Sequence, residues 1–338
     1  MKLLPFFYFP TTFYLVDDHP RFPTSIVRYL SHSACAKSFS QPEAFVAALA
    51  QAGEQQGFLK GFFVHFNRYI HDREDQINFI QNLENILQEK TRFQMPAVVT
   101  IDYSMPSMTG LEVCDVIAPE IKKVLLTGEA DHFLAVEAFN KNSIHRFIKK
   151  DHPELPHEIN KAFFDLSYDF FSDLCKPYRE LFYKSLPDFL AQTEFFPIFK
   201  TLFDELGGVE FYMVSKDVDY LCFDAEGDAF ILSFRDDRQM DVLASLVERE
   251  HLEEPTPETE AIVGLVRARA ELCFIDYPIP LHHHNWMQHR VSLIAHGMKD
   301  TMLYSGVTKL KPGLFPAILS LNQFLDVGVE GDSENFAF

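Results

Sequence analysis

Cysteine is scarce in this chain: five in 338 residues (Cys35, Cys114, Cys175, Cys222, Cys273), with no Cys-x-x-Cys and no close pair. That excludes a disulfide framework and a paired-cysteine zinc site, and reads as reduced thiols in a cytoplasmic protein. No uninterrupted apolar run is long enough to span a bilayer. The opening "MKLLPFFYFPTTFYLVDD" is broken by Pro5 and Pro10, closes on acids and lacks a small-residue cleavage site. It reads as an arm before the first strand, with no sign of export and no membrane partner. Basic charge is also short, with 30 Lys and Arg against 49 Asp and Glu, a net charge of −19. The deficit is uneven: 15 basic and 16 acidic residues over 1–150, 5 and 9 over 151–203, 10 and 24 over 204–338. The phosphate backbone dominates nucleic-acid affinity and would be repelled by that last segment, so DNA binding there is disfavoured. Helix-turn-helix, GGDEF-type cyclase, HD-pair and P-loop signatures are all missing.

The 338 residues suggest two domains at roughly 150 each. Apolar residues make up 47%, and the 35 phenylalanines predict an aromatic core. Four short apolar runs end in polar residues: "YLVDD" on Asp17 and Asp18, "PAVVTID" on Asp102, "KKVLLTG" on Thr127 and "HRFIKKD" on Lys150 and Asp151. Runs without alternation, separated by helical patterns, predict a parallel sheet buried on both faces. Ligands bind such sheets at the carboxyl edge. Adjacent Asp17 and Asp18 suit either a solvated turn or half of a cation site. Three carboxylates brought together repel, and each pKa rises, unless a hard divalent cation shares them. Mg²⁺ takes oxygen ligands of this kind. Lys150 then supplies a charge to one phosphoryl oxygen and Thr127 a hydroxyl to another, which makes Asp102 a candidate phosphoaspartate.

The stretches "YLVDDHP", "TIDYSMPSMTGLEVCDVI", "KVLLTGEA" and "FIKKD" resemble the receiver domain of two-component response regulators, most specifically in the Asp-x-x-Met-Pro-x-Met-x-Gly pattern from Asp102 to Gly110. The resemblance implies a doubly wound, five-stranded parallel α/β fold of flavodoxin type. It makes Asp102 the phosphoacceptor, and gives Mg²⁺ the ligands Asp17, Asp18, Asp102 and the backbone carbonyl of Ser104. Thr127 is then the switch hydroxyl, with small Gly128 beside it, and Lys150 rather than Lys149 the invariant lysine. Lys150 lies three residues after Phe147, the switch aromatic; the proline that usually follows the lysine is replaced by Asp151. The implied partner is a sensor histidine kinase, with a homodimer expected on phosphorylation. Ser104 and Glu129, each two residues after a site residue, are expected to tune the phosphoryl lifetime.

From Asp18 to Asp102 is 84 residues, where two helices, a strand and short loops need about 35–45. The excess predicts a helical insertion at about 53–95, with Ile77, Ile80, Leu83 and Leu87 on one face. It suits a flap packed on the receiver or a docking surface. The expected bounds are an arm over 1–12, a receiver over 13–160, a helical linker over 161–206 and an α+β output domain over 207–338. In the linker, Phe163, Leu166, Phe170 and Leu174 share a face that is core or dimer seam. In the output, strands, then helices, then strands predict an antiparallel sheet covered on one face. "LHHHNWMQH" (His282, His283, His284, His289), with His296 beyond it, offers imidazoles to a transition metal but fits no metal-spacing template; it reads rather as a polar loop, with Trp286 an anchor into the core or an interface. The layout loosely resembles atypical response regulators of α-hydroxyketone quorum sensing. A rival reading makes the output a receiver-gated enzyme for a nucleotide or other small ligand, with Asp217, Asp219, Asp224, Asp228, Asp236 and Asp237 as candidate metal ligands. The output partner is not legible.

Overall fold

The computed structural model describes residues 3–19, 21–27, 35–53, 57–71, 76–128, 138–140, 143–182, 185–253, 255–273, 290–311, 315 and 318–325. The chain divides into two compact units, one formed by Tyr8–Gly61, Ile86–Pro177 and Leu319–Phe338, the other by Met1–Phe7, Phe62–Asn85 and Tyr178–Ile318.

The first unit holds the predicted parallel sheet. Its strands are β2 (Phe13–Val16), β3 (Ala36–Phe39), β4 (Val98–Asp102), β5 (Lys122–Thr127) and β6 (Arg146–Lys149), in the order β3-β2-β4-β5-β6. Every pairing is parallel. β2, β4 and β5 are buried along their whole length, as strands covered on both faces must be. The helices are α1 (Arg21–Val27), α2 (Pro42–Gly53), which opens on Pro42 as its fixed φ favours, and α5 (Gly110–Val116). Tyr14, Val16, Val99, Ile101 and Leu125 meet Phe45, Val113 and Cys114 in one apolar core. Within the long helix α6 (Leu155–Phe182), Phe163, Leu166 and Phe170 are buried and Leu174 half-buried. The stripe therefore faces inward, and Phe163 meets the ring of Phe13 edge-on at 5.3 Å.

The expected insertion is helical, formed by α3 (Gly57–His71), α4 (Gln76–Gln88) and a short 3₁₀ turn at Lys90–Arg92. Arg92, which the sequence does not single out, is fully buried. Its guanidinium donates to the carbonyls of Leu87 (2.8 Å), Glu89 (3.1 Å) and Leu319 (2.6 Å) and lies over the Phe93 ring. A cation at this depth persists because its donors meet fixed carbonyls.

The second unit is built on a six-stranded sheet in the order β1-β7-β8-β9-β13-β12. Its strands are β1 (Phe7–Tyr8), β7 (Gly208–Met213), β8 (Asp219–Asp224), β9 (Ala229–Asp236), β12 (Ile294–Gly297) and β13 (Met302–Lys309). β10 (Glu271–Cys273) and β11 (Arg290–Ser292) form a separate antiparallel pair. β7 through β9, β13 and β12 pair antiparallel, and Asp224 to Asp228 form the hairpin turn expected from "DAEGD". One difference concerns the N-terminal segment, expected as an arm before the first strand. It supplies β1 to this sheet, and the Met213 N–H donates to the Phe6 carbonyl at 2.6 Å. The short Phe-Phe-Tyr-Phe run between two prolines carried no alternation that would mark a strand.

The helices of this unit are α7 (Phe195–Glu205), α8 (Asp237–Glu253) and α9 (Pro257–Arg267). Phe195, Phe199 and Phe203, spaced by four, form one face of α7 and meet Phe211, Tyr220 and Phe234 edge-on at 4.8–5.4 Å, except that Phe199 and Phe234 are tilted at 5.9 Å. Gly207, at φ +70°, ends the helix, and a side chain at Gly208 would overlap the Phe203 ring. Thr256 caps α9 in a capping box with Thr259, and Pro257 opens the helix.

Candidate functional site

The four polar strand ends lie along one edge of the parallel sheet because their strands are in register. Leu15 pairs with Thr100, Asp102 with Leu126, and Thr127 with Lys149. Backbone bonds fix each end: Asp17 N–H to the Phe39 carbonyl (3.0 Å), Tyr103 N–H to Leu126 (2.7 Å) and Lys150 N–H to Thr127 (2.8 Å). Asp17 and Asp102 are buried, and Asp18 is exposed. One carboxylate oxygen from each of Asp17, Asp18 and Asp102 lies within 4.8 Å of the others. Among the described residues this is the one such group of three or more His, Cys, Asp or Glu side chains.

Lys150 stands between two of these acids. Its Nζ lies 2.6 Å from Asp17 Oδ2 and 2.9 Å from Asp102 Oδ1, and 4.8 Å from the centre of the Phe22 ring in α1. Phe22 is a contact that the sequence pattern does not mark. Asp17 is further oriented by the His19 N–H, 2.9 Å from Oδ1. Burial pushes the Asp102 pKa up; the Lys150 hydrogen bond and charge pull it down, Asp17 pushes it up again, and the Ser104 N–H lowers it, leaving it raised. Burial lowers the Lys150 ammonium, but its hydrogen bonds to Asp17 and Asp102 and their charges prevail, and its pKa is raised. One ammonium pairs with two of the three acids, Asp17 and Asp102, so the cluster has more carboxylates than the one cation that contacts it.

The loop after Asp102 shows why the Met-Pro-x-Met-x-Gly pattern is needed. Met105 is buried and Met108 packs on the same core. Thr109 caps α5 in a reciprocal box with Glu112, whose carboxyl is held below its usual range by the Thr109 N–H and hydroxyl. A Cβ on Gly110 would overlap the Asp102 carbonyl oxygen and stand 2.9 Å from both Leu125 Cδ1 and Tyr103 Cα, so α5 can begin this close to β4 only with glycine. At Gly128 a Cβ would meet no described atom within 4 Å. Thr127 is buried at its strand end, Phe147 packs partly buried against the core, and Ser104 is exposed. Glu129, His282, His283, His284, Trp286 and His289 lie outside the described residues.

Four of the six candidate output carboxylates have other occupations. Asp219 pairs with Arg235 at 3.0 Å and accepts from Ser215 at 2.7 Å. Asp224 caps its own hairpin turn, Asp236 caps α8 through Gln239, and Asp237 accepts from Tyr304 at 2.9 Å. No metal-holding group forms from them among the described residues. Nor is any described helix long and apolar enough to cross a membrane.

No protein-family model matches the sequence, and no curated protein matches it. Among solved structures the chain is similar to the response regulator LqsR of Legionella pneumophila, with TM-score 0.76 and 23% identity over 99% of this chain and 98% of that one. A CheY-like receiver domain protein of Methanospirillum hungatei JF-1 aligns with TM-score 0.32 and 15% identity, over 47% of this chain and 95% of that one. The first likeness gives the chain the fold of a response regulator with a receiver domain.

Proposed function

We propose that this chain is the response regulator of a two-component phosphorelay, accepting a phosphoryl group on Asp102 from a sensor histidine kinase and signalling through an output that does not bind DNA. The observation that carries this reading is the convergence of Asp17, Asp18 and Asp102 within 4.8 Å, with the Lys150 ammonium 2.9 Å from Asp102. The donor set fits a hard divalent cation: all oxygen, crowded, and short of positive charge. Asp17, Asp18, Asp102 and the Ser104 carbonyl are the residues that would hold Mg²⁺. When bound it would neutralise charge on the transferring phosphoryl group.

The chain's own groups account for the rest. An Asp102 carboxylate oxygen attacks phosphorus while the bond from phosphorus to the donor's leaving group breaks. Lys150 leaves its present carboxylate partners to meet a phosphoryl oxygen, and the Thr127 hydroxyl meets another. Phe147 follows Thr127, a local charge change biasing a two-state element. Homodimerisation or capture of an output partner follows. The quorum-sensing resemblance stands as an extension of this proposal.

The test is intact mass and light scattering with Mg²⁺ and a small phosphodonor, on the wild type and on Asp102→Asn. A phosphoryl adduct on the wild type alone, with a shift to dimer, is expected. An adduct of equal extent on Asp102→Asn, or none on either protein even with a histidine-kinase donor, would overturn the assignment.

A further inference from the structure

The unit built on the six-stranded sheet contains a cavity of about 400 Å³ that the phosphorelay reading leaves unused. Leu3, Phe6, Leu186 and Leu190 line it with apolar surface, and it lies within the roughly 300–1,000 Å³ range of small-molecule sites. Among the described lining residues one cation, Arg179 in the last turns of α6, interrupts that wall. Its Nη2 donates to the Leu4 carbonyl and its guanidinium carbon lies 5.1 Å from the centre of the Phe6 ring, which fixes the plane of the group. Its Nε is buried and has no acceptor among the described residues, and no carboxylate pairs with the guanidinium there. A buried charged donor left without an acceptor costs free energy, so the site favours any occupant that brings one. The exposed Asp188 stands on the rim.

We propose that this cavity binds a small monocarboxylate with an unbranched apolar tail, the carboxylate meeting the Arg179 guanidinium and the tail filling the space between Phe6, Leu186 and Leu190. The chemistry is specific in two respects. A planar guanidinium matches a carboxylate better than a point charge would, and among the described lining residues the only other polar side chain is that of Asp188 on the rim, which would repel a second anionic head. Rim Asp188, being in water, weakens an anion modestly.

The experiment titrates octanoate, below its micelle concentration, into the full chain by calorimetry, with 1-octanol as the tail without the charge. Saturable one-to-one octanoate binding is expected, with octanol at least about tenfold weaker, since a charge-assisted hydrogen bond is worth more than a neutral one. Arg179→Gln should weaken octanoate about tenfold or more and leave octanol unchanged. Because Arg179 also anchors Leu4, Leu186→Trp provides a variant that keeps the guanidinium and fills the cavity, and it should abolish binding of both probes. Asp188→Asn should tighten octanoate slightly and leave octanol unchanged. Equal affinity for octanoate and octanol, or octanoate binding that survives Leu186→Trp, would overturn the proposal, as would the lack of any saturable binding to a wild type that unfolds cooperatively.

Discussion

Each of the two units buries aspartates at the ends of strands, and treats them oppositely. In the antiparallel sheet, Asp219 has its own cation, Arg235, and its own hydroxyl, Ser215. Arg235 is in turn held by the carbonyls of Asp217 and Phe234. In the parallel sheet, Asp17 and Asp102 share one lysine, and Asp18 stands beside them without a share of it among the described ion pairs. The lesson is that burial of charge does not mark function; incomplete compensation does. A buried pair with one cation per acid holds the fold, whereas an excess of acids asks for a ligand that the chain does not contain.

The sharpest way to break this contrast is to remove one acid from each unit. Asp219→Ala leaves Arg235 buried without its counter-charge, and should cost about 3–5 kcal/mol in urea denaturation, towards the lower figure because backbone carbonyls still hold the guanidinium. Asp102→Asn should act in the other direction. The Asp102 pKa is raised by burial, so its ionised form is the one the fold disfavours, and a neutral isostere should raise the melting temperature without a divalent cation. If both substitutions destabilise equally, the distinction between structural and ligand-seeking acids fails here.

A second comparison separates two glycines of the same sheet edge. Gly110→Ala drives a Cβ into the Asp102 carbonyl and Leu125, and should cost about 1–3 kcal/mol and slow phosphorylation by displacing the Asp102 backbone. Gly128→Ala meets no described atom within 4 Å and should fold with the stability of the wild type within about 1 kcal/mol. A slower adduct in Gly128→Ala at unchanged stability would show that the space beside Thr127 is needed by the phosphoryl group. Equal stability losses in the two variants would contradict the packing difference.

What the sequence made legible follows the same division. The parallel sheet could be read because strands buried on both faces leave unbroken apolar runs, and their ends, Asp17, Asp102, Thr127 and Lys150, stand out as abrupt polarity. The helices of the insertion and of the output could be read from periodicity and from caps such as Thr256 and Pro257. β1 could not, because two residues carry no period. Nor could Arg92 or Phe22, whose roles depend on carbonyls and charges far away in sequence: Leu319 lies 227 residues from Arg92. The shared lysine itself was only half legible. Spacing from Phe147 favoured Lys150, but its contact with both Asp17 and Asp102 is a property of three strands in register.

The smallest effect concerns a histidine at the opposite, entry end of the parallel strands. His145 precedes β6; its ring Nδ1 accepts the Lys123 backbone N–H at 3.1 Å, and its backbone N–H donates to the Lys123 carbonyl at 2.8 Å. Burial, then the charges of Lys122 and Lys123, push its pKa down to about 4, against a weaker upward pull from Asp173. The unfolded chain therefore takes up a proton near pH 6.5 that the folded chain refuses until about pH 4. Stability from this group is fully present above about pH 6.5 and is lost as the pH falls through that window. Solvent reaches part of the ring, so the loss should be about 1 kcal/mol rather than the full shift. His145→Gln, which keeps an acceptor for the Lys123 N–H and cannot titrate, should flatten the stability profile between pH 6.5 and 4. An equally steep fall in that variant would move the acid sensitivity to the carboxylates of the other edge, and with it the contrast between a sheet end that keeps its histidine neutral and one that gathers carboxylates.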